Sequence, residues 1–407
     1  MITCQESEWQ LRSVVVVGAV RTAVGRMGGT LVNVPAEDLA AVVLRAAVKR
    51  AGIEPADVDQ VVLGQAKQSP DASNVARVAA LAADYPIDVP AYTVNQQCGS
   101  GMMALHTAYQ SIALGLADVI VAGGVESMST APYYLRNARF GYVAGNGELL
   151  DPNTESQPGS QPVSRYGRLT MGQTAETLAE KYNISREEQD EFALESQEKA
   201  WAAIESGRFA DEIEPVSVPQ RRGDPVLFVQ DEHPRKTSLE QLAKLPPVFK
   251  ENGTVTAGNA SGRNDGASAL VLVAEEVARE RGLRPLARLV GLGVAGVGPD
   301  VMGLGPVEAS RRALAQASLS LDDIDLFEIN EAFAAQVLAV LRELPVPREK
   351  LNVNGGAIAL GHPIGNSGSR ICVTLLHEME KRGAELGLAS LCVAGGQGIA
   401  TVFRRIQ

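Results

Sequence analysis

AGIEPADVDQVVLGQ at residues 51–65 is repeated in outline by ASLSLDDIDLFEINE at residues 317–331. Each segment follows a helical pattern and places Asp, an apolar residue and Asp before an apolar run. A second pair follows in the same order, DVIVAGGVE at residues 118–126 and SLCVAGGQG at residues 390–398. Similar segments in the same order indicate that one supersecondary unit occurs twice in the chain.

Within the first unit, short β-rich runs alternate with helical patterns. The predicted strands lie at residues 14–17, 61–63, 92–94 and 119–122. This alternation predicts crossover connections and sheets that are covered by helices. The fold class is therefore α/β.

The middle of the chain differs from both units. Residues 137–167 are rich in Gly, Pro, Asn and Ser and predict a loop, whereas residues 171–206 are strongly helical, with Ser185 as a helix cap. The apolar run at residues 267–274 then supplies another core strand. We therefore predict three regions: an N-terminal half (1–127 and 258–284), an inserted loop domain (128–257) and a C-terminal half (285–407).

Composition limits the partners. The net charge is −11, which argues against nucleic acid or an anionic membrane as the main partner, because both require a broad basic surface. Residues 1–12 lack the basic opening and apolar core of a signal peptide, so we expect a cytoplasmic protein. The four cysteines have no metal-ligand spacing, and no metal site is predicted.

Cys98 is the first candidate for chemistry. It lies in NQQCGSG, where a strand ends in a tight turn that opens onto a helix. A helix N-terminus favours a thiolate and offers N–H groups that could hold an oxyanion. The alternative is a buried packing cysteine, which is the commoner role of a free thiol.

His362 is the second candidate, because NVNGGAIALGHPIGNSG surrounds it with glycines. Cys98 and His362 occupy nearly equivalent places in the two units, so their interface could form a Cys–His pair suited to thiolate formation. Cys392 ends a core-like strand, and Asn330 ends another. The remaining cysteines, Cys4 and Cys372, are predicted to be structural.

Taken together, these motifs resemble those of the thiolase family. They are NQQCGSG (95–101), GGVESMS (123–129), NEAF (330–333), NVNGGAIALGHPIGNSGSR (352–370) and CVAGGQG (392–398), and TAGNASGRNDGA (256–267) also fits. The resemblance implies duplicated βαβαβαββ halves that form a layered α-β-α-β-α sandwich with an inserted loop domain.

The same resemblance implies an acyltransferase. Its reaction would be the reversible Claisen condensation of two acetyl-CoA to acetoacetyl-CoA and CoA, or the thiolysis of 3-ketoacyl-CoA, with ping-pong kinetics. Two alternatives are a degradative thiolase of broader chain length and a non-catalytic acyl-CoA or lipid-binding relative. Acyl-CoA and CoA would be the ligands, with no further cofactor, and the protein would form a homodimer or homotetramer.

Roles in catalysis also follow from the resemblance. Cys98 would take the acyl group, His362 would remove its proton, and Cys392 would be the acid/base of carbon–carbon bond chemistry. One oxyanion site would consist of His362 and a water held by Asn330. The other would use N–H groups at Cys98 and near Ala394, where the family often has Gly.

Contacts with coenzyme A are implied as well. Arg221 and Arg222 would meet the adenosine phosphates, although an ordinary solvated turn is the alternative. The other contacts would be made by Ser261 and Ala257 along the pantetheine, and by Met171, Phe249, Met302 and Phe333 near the acyl end. Short-chain members commonly carry His before the Met that aligns with Met171, whereas this chain has Thr170, which predicts a looser wall and acceptance of medium-length chains.

Overall fold

The computed structural model describes residues 11–406, so Cys4 lies outside the described residues. The valine-rich run at residues 14–17 begins the first strand of the N-terminal part. Its elements are β1 (Val14–Thr22), β2 (Gly25–Arg26), α1 (Ala36–Ala51), β3 (Gln60–Gly64), α2 (Val75–Ala82), β4 (Ala91–Val94), α3 (Ser100–Ala113) and β5 (Val119–Ser127).

The middle and C-terminal parts continue this alternation. The middle part contains β6 (Tyr134–Leu135), β7 (Leu149–Leu150), α4 (Pro152–Glu155), α5 (Val163–Tyr166), α6 (Met171–Lys181), α7 (Arg186–Glu205), β8 (Ile213–Glu214), β9 (Val216–Val218), β10 (Val226–Phe228) and α8 (Leu239–Ala243). The last part contains β11 (Asn264–Ala274), α9 (Glu275–Glu280), β12 (Ala287–Gly296), α10 (Gly305–Ala317), β13 (Leu326–Ile329), α11 (Ala334–Glu343), α12 (Ala357–Leu360), α13 (Ile364–Arg382), β14 (Leu386–Val393) and β15 (Gln397–Arg405).

The strands repeat one order on the two sides of the molecule. One side reads β4-β3-β5-β11-β1 and the other reads β13-β14-β15-β12, and β1 meets β12 over a short antiparallel stretch. On each side the first strands are parallel and the others antiparallel. A single parallel bridge between Phe327 and Leu351 stands where the second side would have its outermost strand. The predicted duplication is confirmed, and β11 lies on the first side, between β5 and β1.

Helices cover both sides and fill the space between them. α1 packs on β1, β11 and β5, whereas α10 packs on β12, β15 and β14. α3 and α13 pack against each other and contact strands of both sides, within one apolar core. The layers therefore follow the order helix, sheet, helix, sheet, helix.

Two glycines allow the central helices to cross closely. A Cβ at Gly101 in α3 would lie 2.6 Å from Ser369 Oγ, and a Cβ at Gly368 in α13 would lie 2.6 Å from Met102 N. Real side chains do not tolerate such distances, so the crossing depends on glycine in both helices. Cys98 and His362 lie just before these two helices, and the crossing brings the start of each helix toward the other.

The helical region at 171–206 is confirmed as two helices, because α6 ends at Lys181 and Ser185, as predicted, caps α7 by accepting a hydrogen bond from Glu188 N. One predicted boundary differs. The Ser-Gly pair at residues 367–368 predicts the start of the last long helix, but that helix begins at Ile364. The reason is Pro363, whose fixed φ suits the residue before a helix and which needs no amide partner.

Buried ion pairs attach the middle part to the N-terminal strands. Arg21 of β1 is fully buried and pairs with Glu212 at 2.6 Å and with Asp231 at 2.7 Å. None of the helices within residues 11–406 is long and apolar enough to cross a membrane.

Candidate active site

One cavity brings together most of the residues predicted for catalysis. Cys98, His362, Cys392 and Ala394 all line it. Five residues predicted for the substrate also line it, namely Met171, Phe249, Ser261, Met302 and Phe333. The rest of the wall is formed by Lys67, Gln97, Met128, Ser156, Gln157, Gly172, Ala260, Gly262, Arg263, Ala332 and Ile364.

The direction of the strands explains this convergence. β3 and β4 are parallel, so their carboxyl ends, followed by Lys67 and Cys98, point the same way. β13 and β14 are also parallel, which places Asn330 and Cys392 at equivalent ends on the other side. Ligand sites of α/β sheets form outside the carboxyl ends of the strands. Here the carboxyl ends of the parallel strands on both sides of the molecule face one cavity.

Cys98 lies on a tight turn. Gln97 has φ of 48°, a left-handed conformation, and Ser100 Oγ fixes the turn by accepting from Gln96 N at 2.8 Å and donating to Gln97 O at 2.6 Å. The N–H groups of Ala394 and of Cys98 itself point at the thiol. The predicted strand–turn–helix context is confirmed.

The protonation state of Cys98 differs from the sequence-based expectation. Burial raises the pKa of the Cys98 thiol, and the N–H of Ala394, the ammonium of Lys67 and the N–H of Cys98 reduce this rise without reversing it. The helix end alone predicted a thiolate, whereas burial favours the neutral thiol at Cys98. The desolvation of a buried anion outweighs a helix end. A base is therefore needed when the thiol reacts.

His362 is held so that one ring nitrogen can serve as that base. Ser367 Oγ donates to the carbonyl of Pro363 at 3.0 Å, so its oxygen must accept from His362 Nδ1, which lies 2.6 Å away. The proton therefore sits on Nδ1, and Nε2 keeps its lone pair. Burial, aided by Arg370 and Lys67, lowers the pKa of His362 to about 3, so the ring is neutral.

Cys392 and Ala394 lie on the opposite wall. Cys392 is 1% exposed, and burial together with the neighbouring Cys98 raises its pKa well above the ordinary range, so it is a proton-bearing thiol. Ala394 does not have a positive φ, whereas Gly395 and Gly396 do, at 87° and 85°. A Cβ is therefore compatible with the backbone at Ala394, and its N–H remains directed at Cys98.

Asn330 is buried beside the cavity but is not one of its lining residues. Its backbone N–H donates to Ser390 O at 2.9 Å, while neither amide atom of its side chain has a hydrogen-bond partner in the described part of the chain. Glu331, the next residue, accepts from Ser196 Oγ at 2.6 Å and from Asn352 Nδ2 at 2.8 Å. The side chain of Glu331 is thus held by hydrogen bonds, whereas the side-chain amide of Asn330 is not.

The residues predicted for coenzyme A do not all lie together. Ala257 is exposed, and its carbonyl accepts from Arg235 at 3.3 Å. Arg221 and Arg222 are exposed in the bend between β9 and β10 and do not line the cavity. Thr170 is also absent from the wall, because its hydroxyl caps α6 through Gln173 N. No structural reason therefore links Thr170 to a looser acyl pocket.

The acyl end of the cavity is apolar and tightly packed. The rings of Phe249 and Phe333 meet edge to face with centroids 5.9 Å apart. Met302 and Cys392 belong to the same apolar cluster, and Met171 packs against it. This packing supports the predicted position of these residues around a small acyl group.

Sequence reasoning missed Lys67, which is 6% exposed and lines the same cavity. The available signal was its position just after a core strand that is parallel to the strand before Cys98. In residues 11–406 no group of three His, Cys, Asp or Glu side chains is placed to hold a metal ion.

Comparison with known proteins agrees with this geometry. Residues 14–276 match the family model of the thiolase N-terminal domain, and residues 283–405 match that of the thiolase C-terminal domain. Acetyl-CoA acetyltransferase of Pseudomonas aeruginosa is 52% identical over 396 residues, which cover 97% of this chain and 100% of that protein.

Solved structures agree as well. The acetyl-CoA acetyltransferase of Bacillus anthracis has a TM-score of 0.95 at 51% identity and covers 98% of this chain and 100% of that one. Human mitochondrial 3-ketoacyl-CoA thiolase in complex with CoA has a TM-score of 0.93 at 46% identity, with 98% and 99% covered.

The duplicated fold and these similarities define an acyltransferase. The chain belongs to the thiolase family. Enzymes of this family use coenzyme A as a substrate and need no further cofactor.

Proposed function

We propose that the chain catalyses the reversible condensation of two acetyl-CoA molecules to acetoacetyl-CoA and CoA, through an acyl thioester on Cys98. The main observation in support is that the thiols of Cys98 and Cys392 and the neutral imidazole of His362, from three separate segments of the chain, line one cavity. The choice of acetyl-CoA as the substrate rests on the similarity to enzymes that are named acetyl-CoA acetyltransferase.

In the first half-reaction Cys98 attacks the thioester carbonyl. His362 Nε2 takes the thiol proton as the sulfur attacks, so a free thiolate need not accumulate in the buried site. The N–H groups of Cys98 and Ala394 stabilise the oxyanion that develops on the carbonyl oxygen. Each donor of this kind contributes about 3 kcal/mol to lowering the barrier. CoA then leaves as a thiol and takes its proton from His362.

In the second half-reaction Cys392 exchanges a proton with the α-carbon. For condensation Cys392 would first pass its proton to His362, and the resulting thiolate would remove a proton from the second acetyl-CoA. When the new carbon–carbon bond forms, the imidazolium of His362 returns a proton to the released sulfur of Cys98. For cleavage these steps run in reverse, and the thiol of Cys392 protonates the departing enolate. The Nε2–H of the His362 imidazolium and a water bound by Asn330 would hold the enolate oxygen. The side-chain amide of Asn330, which has no hydrogen-bond partner among residues 11–406, is compatible with this role. The raised pKa of Cys392 favours the protonated form needed for cleavage.

Coenzyme A would lie under residues 128–257, with Ser261 beside the pantetheine and Arg221 and Arg222 on its phosphates. For the two arginines, this requires the exposed bend between β9 and β10 to meet the ligand. We also propose the division into an N-terminal half (1–127 and 258–284), this inserted segment and a C-terminal half (285–407). The enzyme would act in the cytoplasm as a homodimer or homotetramer.

Thiolysis of longer 3-ketoacyl-CoA substrates is the second candidate. It is favoured by the similarity to a human enzyme named 3-ketoacyl-CoA thiolase. Thiolysis rates on 3-ketoacyl-CoAs of increasing chain length distinguish the two functions. A sharp loss of rate beyond acetoacetyl-CoA would eliminate the second.

The assignment of the two thiols is tested by separating the half-reactions. Cys98→Ser should prevent labelling of the protein by radioactive acetyl-CoA, because a serine hydroxyl is a much poorer nucleophile beside a neutral imidazole. Cys392→Ser should still be labelled but should fail to form acetoacetyl-CoA.

Cys372→Ser is a matched control, because Cys372 is also buried but donates to Gly368 O within α13, away from the cavity. It should keep both half-reactions. Condensation by Cys392→Ser at the wild-type rate would show that this thiol is not the acid/base.

A further inference from the structure

A buried ammonium lies in the wall of the cavity. Lys67 follows β3, is 6% exposed and donates to Ser156 Oγ. Within residues 11–406 it forms no ion pair. Burying an ammonium without an anion is costly, so a group of this kind usually has a charged partner.

Two carboxylates, Glu126 and Asp151, act on this ammonium, but neither forms an ion pair with it within residues 11–406. Glu126 accepts hydrogen bonds from the N–H groups of Ala66 and Lys67, both at 3.1 Å, and from Gly365 N at 2.9 Å. Asp151 faces Arg263 at 3.7 Å. Burial lowers the pKa of Lys67, and the attraction of Glu126, which is the largest opposing influence, does not offset it. The protein thus leaves this charge incompletely compensated.

The wall of the cavity has two chemically different parts. Met128, Met171, Phe249, Met302 and Phe333 form an apolar part. Lys67, Gln97, Ser156 and Arg263 form a polar part, here called the basic wall, and two of its members carry positive charge. A purely aliphatic acyl chain would leave the basic wall without a partner.

We propose that Lys67 is a specificity residue that, with Ser156 and Arg263, binds a carboxylate at the far end of the acyl chain. The substrate class would then be 3-oxoacyl-CoA thioesters whose chain ends in a carboxylate. This inference rests on the proposed function of the same cavity. The carboxylate would supply the missing counter-charge, and the hydroxyl of Ser156 could donate to it while accepting from Lys67.

The test compares two thioesters of equal chain length, one ending in a carboxylate and the other in a methyl group. Thiolysis of each is measured as kcat/KM for the wild type, Lys67→Met, Lys67→Arg and the surface control Lys236→Met, with acetoacetyl-CoA as a reference substrate. The decisive quantity is the ratio of the two kcat/KM values. Any effect of Lys67 on Cys98 or on folding alters both substrates alike and cancels in this ratio.

The wild type should prefer the carboxylate, and Lys67→Met should reduce the ratio by about 30-fold or more, as for other buried charge pairs that lose one partner. Lys67→Arg should keep most of the preference, and Lys236→Met all of it. An unchanged ratio in Lys67→Met, or a wild-type preference for the methyl end, would overturn the proposal. Failure of the wild type with acetoacetyl-CoA and with both thioesters would instead contradict the proposed function.

Discussion

Replacing Ser367 with alanine tests how the imidazole of His362 is prepared for proton transfer. Ser367 does not line the cavity, yet its oxygen accepts the proton on His362 Nδ1 at 2.6 Å while its own proton goes to Pro363 O. Without the hydroxyl, the ring can carry its proton on either nitrogen. The tautomer with the proton on Nε2 cannot accept one from Cys98.

The expected magnitude follows from the single hydrogen bond that is lost. A neutral hydrogen bond contributes about 1 kcal/mol, which corresponds to a change of about fivefold in the tautomer population. We therefore expect Ser367→Ala to slow acetylation of Cys98 about fivefold to tenfold in single-turnover experiments. KM should change little, because Ser367 does not contact the ligand cavity.

Ser369→Ala is the matched control. Ser369 is also a buried hydroxyl of α13, but it donates to Asn366 O at 3.0 Å and lies beside Ser268 Oγ at 2.7 Å, without touching His362. Nitrogen NMR of the imidazole reports the tautomer directly, and Ser367→Thr should restore the rate. Equal loss of rate in Ser367→Ala and Ser369→Ala, or an unchanged tautomer, would refute the argument.

Two further predictions concern stability. Gly101→Ala should lower the free energy of unfolding by about 1–3 kcal/mol, because the added Cβ would lie 2.6 Å from a side chain of α13. Gly159→Ala is the control and should change the stability little, because no atom lies within 4 Å of its added Cβ. Urea unfolding measures both variants, and equal stabilities would contradict the argument that glycine is needed where α3 and α13 cross. Burial alone would raise the pKa of Glu212, but the charges of Arg21 and Arg208 lower that pKa to about 2. The ionised carboxylate of Glu212 therefore contributes fully to the stability of the fold above the ordinary pKa of glutamate, near 4.5, and this contribution is lost as the pH falls toward 2. Calorimetry at decreasing pH should find a shallower loss of stability in Glu212→Gln, and an identical pH dependence would disprove this.

The overall fold could be predicted because the two units share a pattern that is longer than any one motif. The repeat of a helical segment, an Asp-apolar-Asp turn and a core strand predicted the same succession of helices and strands in both units. The order of the strands within the sheet came only from the structure. Helix boundaries were less certain. The start of α13 was assigned to Ser367, although Pro363 already carried the signal for a helix beginning at the next residue.

The site could be predicted only in part. Cys98 and His362 could be proposed because each lies in a glycine-rich turn, whereas Cys392, at the end of a core-like strand, received a role only from the resemblance to the thiolase family. The structure brings all three to one cavity. Lys67 was missed because a lysine after a strand is usually solvated, and its burial in the wall of the cavity is visible only in the structure. The pKa of Cys98 was misjudged for the same reason, since the local helix end was visible in the sequence and the desolvation was not.

The equivalence of Cys98 and His362 explains how a duplicated unit can form an asymmetric site. Each residue immediately precedes the residue that caps its helix, Gly99 before α3 and Pro363 before α13. The two units therefore offer the same position twice, once for a nucleophile and once for its base. Both residues lie next to the crossing of the two central helices, whereas the outer helices cover the sheets. Changes on the outer layers should then affect stability alone, whereas an added methyl group at the crossing should also separate the thiol from the imidazole.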